Sequence, residues 1–465
     1  MSSLTPIAPH EVAERALAAA GDGAAALVTV SSEADLRWAN SMLTTNGERI
    51  STTLTVVATA AVEGGTSMGQ ASGPVRSELD IEALVERARV TASNGTAAAD
   101  AQPPVSGGTS ASDWRDPAPI TSGDEFAALA PQLGEAFARG RADGVEHFGY
   151  AEHEVATTLL ATSGGLRLRH VQPTARLELT AKSHSRTRSA WAGRAGRTMA
   201  GFSVPLLDDE LRQGLGWQGR SVEIAPGRHD TILSPSAVAD MLVYLLWSSS
   251  ARDAAEGRTV FSRPGGGTRV GDTLTAAPLT LTSDPRDPEL PSSPFVTSTW
   301  SSSMSSAFDL GLPLQPTSWI TDGLLTSLVS TRHSAADLGV AATPMIDGLR
   351  LTHADGRGSL DDLVRRTERG LLVTCLWYIR EVDPRTLLLT GLTRDGVYLV
   401  EGGEVVGSVG NYRFNVSPVD MLAQVRDTSE TAPTLPREWG DYFTRAAAPA
   451  ALIEGFNLST RSDAL

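Results

Sequence analysis

Apolar residues recur at helical spacing in Pro9–Ala20, with Glu11, Glu14 and Arg15 on the polar face, and again in "DIEALVERARVTA" (Asp80–Ala92). Between these helices the pattern alternates over Ala26–Val30, Leu36–Leu43 and Ser51–Ala61, as half-buried strands require. Asn46-Gly47 within "TTNGERI" (Thr44–Ile50) is a dipeptide favoured in tight hairpins, so a turn is predicted there. Asn94–Gly123 is rich in Pro, Ser, Gly, Thr and Ala and reads as a linker or long surface loop. A third helix is predicted over Asp124–Arg139. An antiparallel meander comes next over Val145–Thr180, with turns at Ser163–Gly165 and Gln172–Pro173.

"RSAWAGRAGR" (Arg188–Arg197) is rich in Gly and Arg and reads as a solvated loop rather than a basic patch. "TILSPSAVADMLVYLLW" (Thr231–Trp247) is a strand entering a helix, with Ser234 suited to the N-cap and Pro235 to the first helical position. From Gly370 to Gly410 several apolar runs are separated by the turn dipeptides Asp383-Pro384, Asp395-Gly396 and Gly402-Gly403. These patterns predict a multi-domain α+β fold: α/β-type layers with antiparallel strands at the N-terminal side, then a large strand-rich domain. The expected divisions are an α+β domain at 1–110, a helix-plus-meander domain at 120–226 and a β-rich domain at 227–465.

The 465 residues carry a formal net charge of −15, with Lys182 the only lysine. An acidic balance disfavours nonspecific nucleic-acid binding and docking on anionic membranes. The first twenty residues lack the basic and apolar regions of a signal peptide, and Met241–Trp247 is too short to span a bilayer. One cysteine, Cys375, allows no internal disulfide. A cytoplasmic location is the expectation.

The stretch "FSRPGGGTRVGD" (Phe261–Asp272) invites a ligand reading. A phosphate loop needs a lysine directly after its last glycine, and a dinucleotide fingerprint needs a helix after the glycines; this stretch has neither. The eight histidines contain no H-E-x-x-H pattern, and His147 and His153, although on one predicted strand face, have no further ligands in reach. Cys375 sits mid-strand with no activating neighbour and reads as a buried structural thiol. There is no G-x-S-x-G elbow.

Several blocks resemble the TldD/PmbA family. They are "GRGSLDDLVRRTERGLLVT" (Gly356–Thr374), "DGVYLVEGGEVVG" (Asp395–Gly407), "TILSPSAVADML" and "WITDGLLTSLVST" (Trp319–Thr331), in the family's order. The family has two branches that pair with each other. The TldD-type branch carries an H-E-x-x-x-H motif whose histidines bind zinc and whose glutamate acts as general base. The TldE-type branch, also called PmbA, lacks it. The resemblance implies a peptidase complex acting on unfolded or modified peptides, and a family also described as modulating DNA gyrase.

Aligned with the catalytic motif, "SRPGGGTRVGD" ends in the same Gly-Asp, here Gly271-Asp272. Ser262 and Gly267 stand where the histidines would be, and Arg263 replaces the glutamate. Arginine stays charged and cannot act as a base. The family's late zinc-site cysteine is not transferred to Cys375, which lies too early. The resemblance therefore implies a TldE-like subunit with no metal, cofactor or catalytic residue of its own. A TldD-type partner would supply the zinc, and a peptide would be the substrate. A stand-alone peptide-binding or scaffold protein is the other reading, and an autonomous hydrolase with an unrecognised site a third.

Overall fold

The computed structural model describes residues 7–108 and 110–462. Its first layer is a six-stranded antiparallel sheet in the order Gly65–Pro74, Met42–Val62, Ala25–Ala39, Val145–Thr162, Arg167–Ser183, Arg188–Gly196. Strand Ala25–Ala39 pairs with Met42–Val62 on one side and Val145–Thr162 on the other, so one sheet takes strands from both the 1–110 and the 120–226 segments. Its even-numbered residues, among them Ala26, Val28, Leu36 and Trp38, pack on four helices: Pro9–Ala20, Glu78–Ser93, Leu129–Asp143 and Val204–Trp217. Period-two burial on one strand face is what selects this register.

Three local expectations are corrected. Asn46 and Gly47 lie inside the strand, opposite Leu36 and Asp35; the turn is at Asn40-Ser41, whose φ angles of 51° and 57° are left-handed. Gln172 and Pro173 also continue a strand, opposite Ala156 and Val155. Proline is tolerated there because the next strand begins pairing only at Ala175, so that side has no ladder to break. "RSAWAGRAGR" is no solvated loop but the edge strand Arg188–Gly196, with Ala190 to Gly193 buried. The third helix is a short 3₁₀ turn at Gly123–Phe126 and then Leu129–Asp143. The loop-like 94–123 region packs closely, with Trp114 buried in the core beneath the first two helices.

The second half is built from two further sheets. One runs Leu324–Leu325, Thr317–Thr321, Leu279–Ser283, Leu349–His353, Ala446–Ala448, Ala432–Thr434. The other has nine strands, and at its centre Ala451–Ser462 lies between Asn411–Val416 and Gly227–Leu233. Gly227–Leu233 pairs parallel with Arg369–Val373, and the long connection between these two strands begins with the helix Pro235–Trp247. That helix starts as expected: the Ser234 hydroxyl accepts from the Ala237 N–H at 3.2 Å and Pro235 opens the first turn. Nearly every one of its residues is buried, most of them in the largest core cluster, which is why it lies between layers rather than on a surface. Among the described residues no helix is long and apolar enough to cross a membrane.

Candidate functional site

Phe261–Asp272 forms a tight hairpin, anchored by the buried Phe261 ring. The Arg263 N–H donates to Gly267 O and the Gly266 N–H to Arg263 O, both at 3.0 Å. Gly265, Gly266 and Gly267 have φ of 89°, 112° and 82°, a run that side chains with a Cβ resist. The Arg263 guanidinium closes the loop on the Asp272 carboxylate, and Arg269 Nε lies 3.5 Å from its other oxygen. The Gly-Asp end is stitched to the neighbouring hairpin, Gly271 N–H to Leu325 O at 2.8 Å and Leu325 N–H to Asp272 O at 3.0 Å.

This donor set does not fit zinc. The Ser262 hydroxyl accepts from the Thr259 N–H at 3.1 Å, Arg263 is a cation, Gly267 has no side chain and Asp272 is held by two guanidiniums. Among the described residues no group of three or more His, Cys, Asp or Glu is placed to hold a metal ion.

His147 and His153 share a face of Val145–Thr162 but serve separate networks. His147 lies between the Ser41 hydroxyl (Nδ1 to Oγ, 3.4 Å) and Asp208 (Nε2 to Oδ1, 2.7 Å), the order of a hydrolytic triad. Ser41, His147 and Asp208 are 4%, 0% and 1% exposed, so no substrate reaches the hydroxyl and the trio is a structural core network. His153 is held by Thr121 Oγ1 at 2.6 Å and the Arg197 carbonyl at 3.1 Å.

A cleft of about 800 Å³ lies between the edge strand Arg188–Gly196, one face of helix Val204–Trp217 and the second half of the chain. Its volume is in the range of ligand sites. No residue of the Phe261–Asp272 hairpin lines it. Trp191, Trp217, Tyr398 and Leu372 supply apolar wall, with Trp217 edge-on to Tyr398 at 5.0 Å. Asp209, Glu210 and Asp361 add negative charge, Glu210 paired with Arg194 at 2.7 Å.

Two sheet edges face this space, Ala190–Arg194 from the first sheet and Ala432–Thr434 from the second. On the first edge the backbone direction is fixed by Ser189. Its N–H donates to Gln218 Oε1 at 3.1 Å and its carbonyl accepts from Gln218 Nε2 at 2.8 Å, so both groups point away from the sheet. Pairing with Arg167–Ser183 runs without a bulge, so the backbone groups of Trp191 and Gly193 point the same way, into the cleft.

At one end of the cleft sits a buried charged group. The Asp395 carboxylate accepts from the Ser189 hydroxyl at 2.5 Å and pairs with Arg437 Nη2 at 2.6 Å. Burial works to raise this carboxyl, but Arg437 and Ser189 outweigh it and hold it below the usual carboxylate range. Arg437 lies over the Trp191 and Trp377 rings, 4.9 and 5.2 Å from their centroids, and donates to Cys375 Sγ at 2.6 Å. Cys375 occupies the break between Arg369–Val373 and Leu376–Asp383 rather than mid-strand. Burial pushes its thiol up to about 11, so it is a poor nucleophile despite the guanidinium. The sequence reading missed Ser189, Trp191, Gln218, Asp395, Tyr398 and Arg437 as one constellation. The only local signal was the small-residue and tryptophan pattern of "RSAWAGRAG".

The sequence profile of the PmbA/TldA metallopeptidase C-terminal domain matches residues 226–460. TldE from Thermococcus kodakarensis superposes with a TM-score of 0.72 at 16% identity, over 93% of this chain and 96% of that one. A candidate modulator of a DNA gyrase from Thermotoga maritima MSB8 gives 0.72 at 15% identity, over 96% and 99%. A candidate modulator of DNA gyrase from Bacteroides thetaiotaomicron VPI-5482 gives 0.74 at 14% identity, over 97% and 98%. No curated protein matches the chain. At these identities the solved structures share the fold, while the profile match spans half the sequence in the order of blocks noted above: the chain belongs to the TldD/PmbA family.

Proposed function

We propose that this chain is the zinc-less, TldE-like subunit of a heterodimeric metallopeptidase acting on unfolded or modified peptides in the cytoplasm. The observation that carries the reading is the hairpin Phe261–Asp272. The stretch that resembles the catalytic motif offers Ser262, Arg263 and Gly267 in place of ligand, base and ligand, and its Arg263–Asp272 pair closes it on itself. In this reading the zinc, and the water it activates, belong to a TldD-type partner. This chain contributes interface and cleft wall, and its free strand edge suits an extended peptide, because backbone pairing tolerates many side chains. Two of the similar structures are described as candidate modulators of DNA gyrase. With a net charge of −15, an effect of this chain on gyrase would run through a peptide rather than through DNA.

The test is metal analysis and peptide cleavage for the chain purified alone and co-expressed with a TldD-type subunit. The expected result is no stoichiometric zinc in the isolated chain, and cleavage of an unfolded peptide only by the pair. Stoichiometric zinc with activity in the isolated chain overturns the reading. A second reading, a stand-alone peptide-binding protein, is favoured by one feature: the edge at Trp191 and Gly193 is complete within this chain. Co-purification of a TldD-type subunit from native lysate decides against it.

A further inference from the structure

The Gln218 side chain does something unusual at the cleft's end. One amide makes both bonds that a neighbouring strand would make to Ser189, accepting from its N–H at 3.1 Å and donating to its carbonyl at 2.8 Å. It thereby fills one rung of an otherwise open ladder. Gln218 is the C-cap of helix Val204–Trp217, so the helix covering the sheet fixes its place. Its Nε2 also donates to Gly214 O at 3.1 Å and lies 3.3 Å from Tyr398 Oη, which itself donates to Gly214 O at 3.1 Å. The amide is held from several sides, and it cannot swing away without breaking bonds to three residues.

Beyond this rung no strand pairs with the edge. Among the described residues the only group meeting the outward backbone of Trp191 and Gly193 is the Arg194 guanidinium, on Gly193 O at 2.8 Å. We propose that Gln218 is the stop of a peptide-docking ladder. An extended segment pairs with Trp191 and Gly193, and its end abuts the amide, which already occupies the Ser189 rung. Gln218 would then set how far a peptide enters the cleft, and so which of its residues lie at a fixed distance from the end. This rests on the reading of the cleft as a peptide site.

The experiment is calorimetric titration of the full chain with neutral Thr/Val peptides of increasing length, capped at both ends. Wild-type affinity should rise with length and then level off. In Gln218→Ala the plateau should move out by two residues, one rung, and peptides of the extra length should bind roughly tenfold tighter than to wild type. Gln218→Met keeps the volume without the rung's hydrogen bonds; it should lose the Ser189 contacts without moving the plateau, since its side chain still fills the space. N-methylation of alternate peptide residues should abolish binding to both proteins. An unchanged plateau in a folded Gln218→Ala protein that still binds peptide overturns the inference and leaves the peptide site standing. So does self-association of that variant, which makes the amide a guard of the edge against other chains. If no peptide binds wild type at any length, the peptide-site reading itself fails.

Discussion

Replacing Arg437 with Met leaves the Asp395 carboxylate, 4% exposed, with the Ser189 hydroxyl and a more distant Arg394 guanidinium at 3.7 Å. Breaking a buried pair from one side costs about 3–5 kcal/mol, and Asp395→Asn in the same protein should recover part of it. Urea denaturation of the single and double variants measures both numbers. Two acids of this region should respond to pH with opposite sign. Asp395 has a depressed folded pKa, so its stabilisation is present above the unfolded value of about 3.9 and is lost as pH falls through the folded one. Asp240 is fully buried, and desolvation raises its carboxyl well above the ordinary value, against bonds from the Glu438 and Trp439 backbone side. Its folded pKa exceeds the unfolded one, so stability rises as pH falls through the raised value and levels off below about 3.9. Asp240→Asn keeps an acceptor for the Glu438 N–H, 3.0 Å from Oδ1 in wild type. It should be at least as stable at neutral pH and should lose that acid-side gain, read from denaturation midpoints across pH.

At the scale of elements, close approach of backbones sets tight limits. A Cβ on Gly69 would lie 2.1 Å from Ala88 O and 2.3 Å from Ala92 N, so helix Glu78–Ser93 packs directly on strand Gly65–Pro74 at this residue. Gly69→Ala should cost about 1–3 kcal/mol as overpacking, measured by thermal or urea unfolding. Most helices and strands were legible from periodicity, because one buried face imposes it. The turns were less so. Asn46-Gly47 has turn chemistry, yet the left-handed residues are Asn40 and Ser41, and Ser41 Oγ is held by the His147 N–H at 2.9 Å. Tertiary pairing chose the turn over local preference. Arg188–Gly196 looked like loop for a related reason: Ala190 to Gly193 are buried on both faces, with Ala190 and Ala192 packed under helix Val204–Trp217, so polarity does not alternate along the run.

Across the whole molecule the two halves meet on the sheet face opposite the helices. Ala25, Val57 and Leu160 pack there against Phe295, Ala307 and Leu310. Gln70 Nε2 donates to Thr299 Oγ1 at 2.8 Å, and Arg176 pairs with Asp441 at 2.6 Å across the same division. The cleft depends on that seam, since Trp191 and Gln218 come from one side and Asp395, Tyr398 and Arg437 from the other. No sequence window contains them together, so the site became visible only with the topology, whereas Ser262, Arg263 and Gly267 were legible as a contiguous departure from a motif.

The central position of strand Ala451–Ser462 has a consequence for how the molecule is made. It inserts between Gly227–Leu233 and Asn411–Val416, strands that leave the ribosome well before it. Until it arrives, both neighbours hold bare edges and the nine-stranded sheet has a gap at its middle. The second half therefore closes only once Ala451–Ser462 has been made, by contacts distant in sequence. Its folding is slow by topology, and the waiting intermediate is the species most exposed to aggregation and most in need of a chaperone.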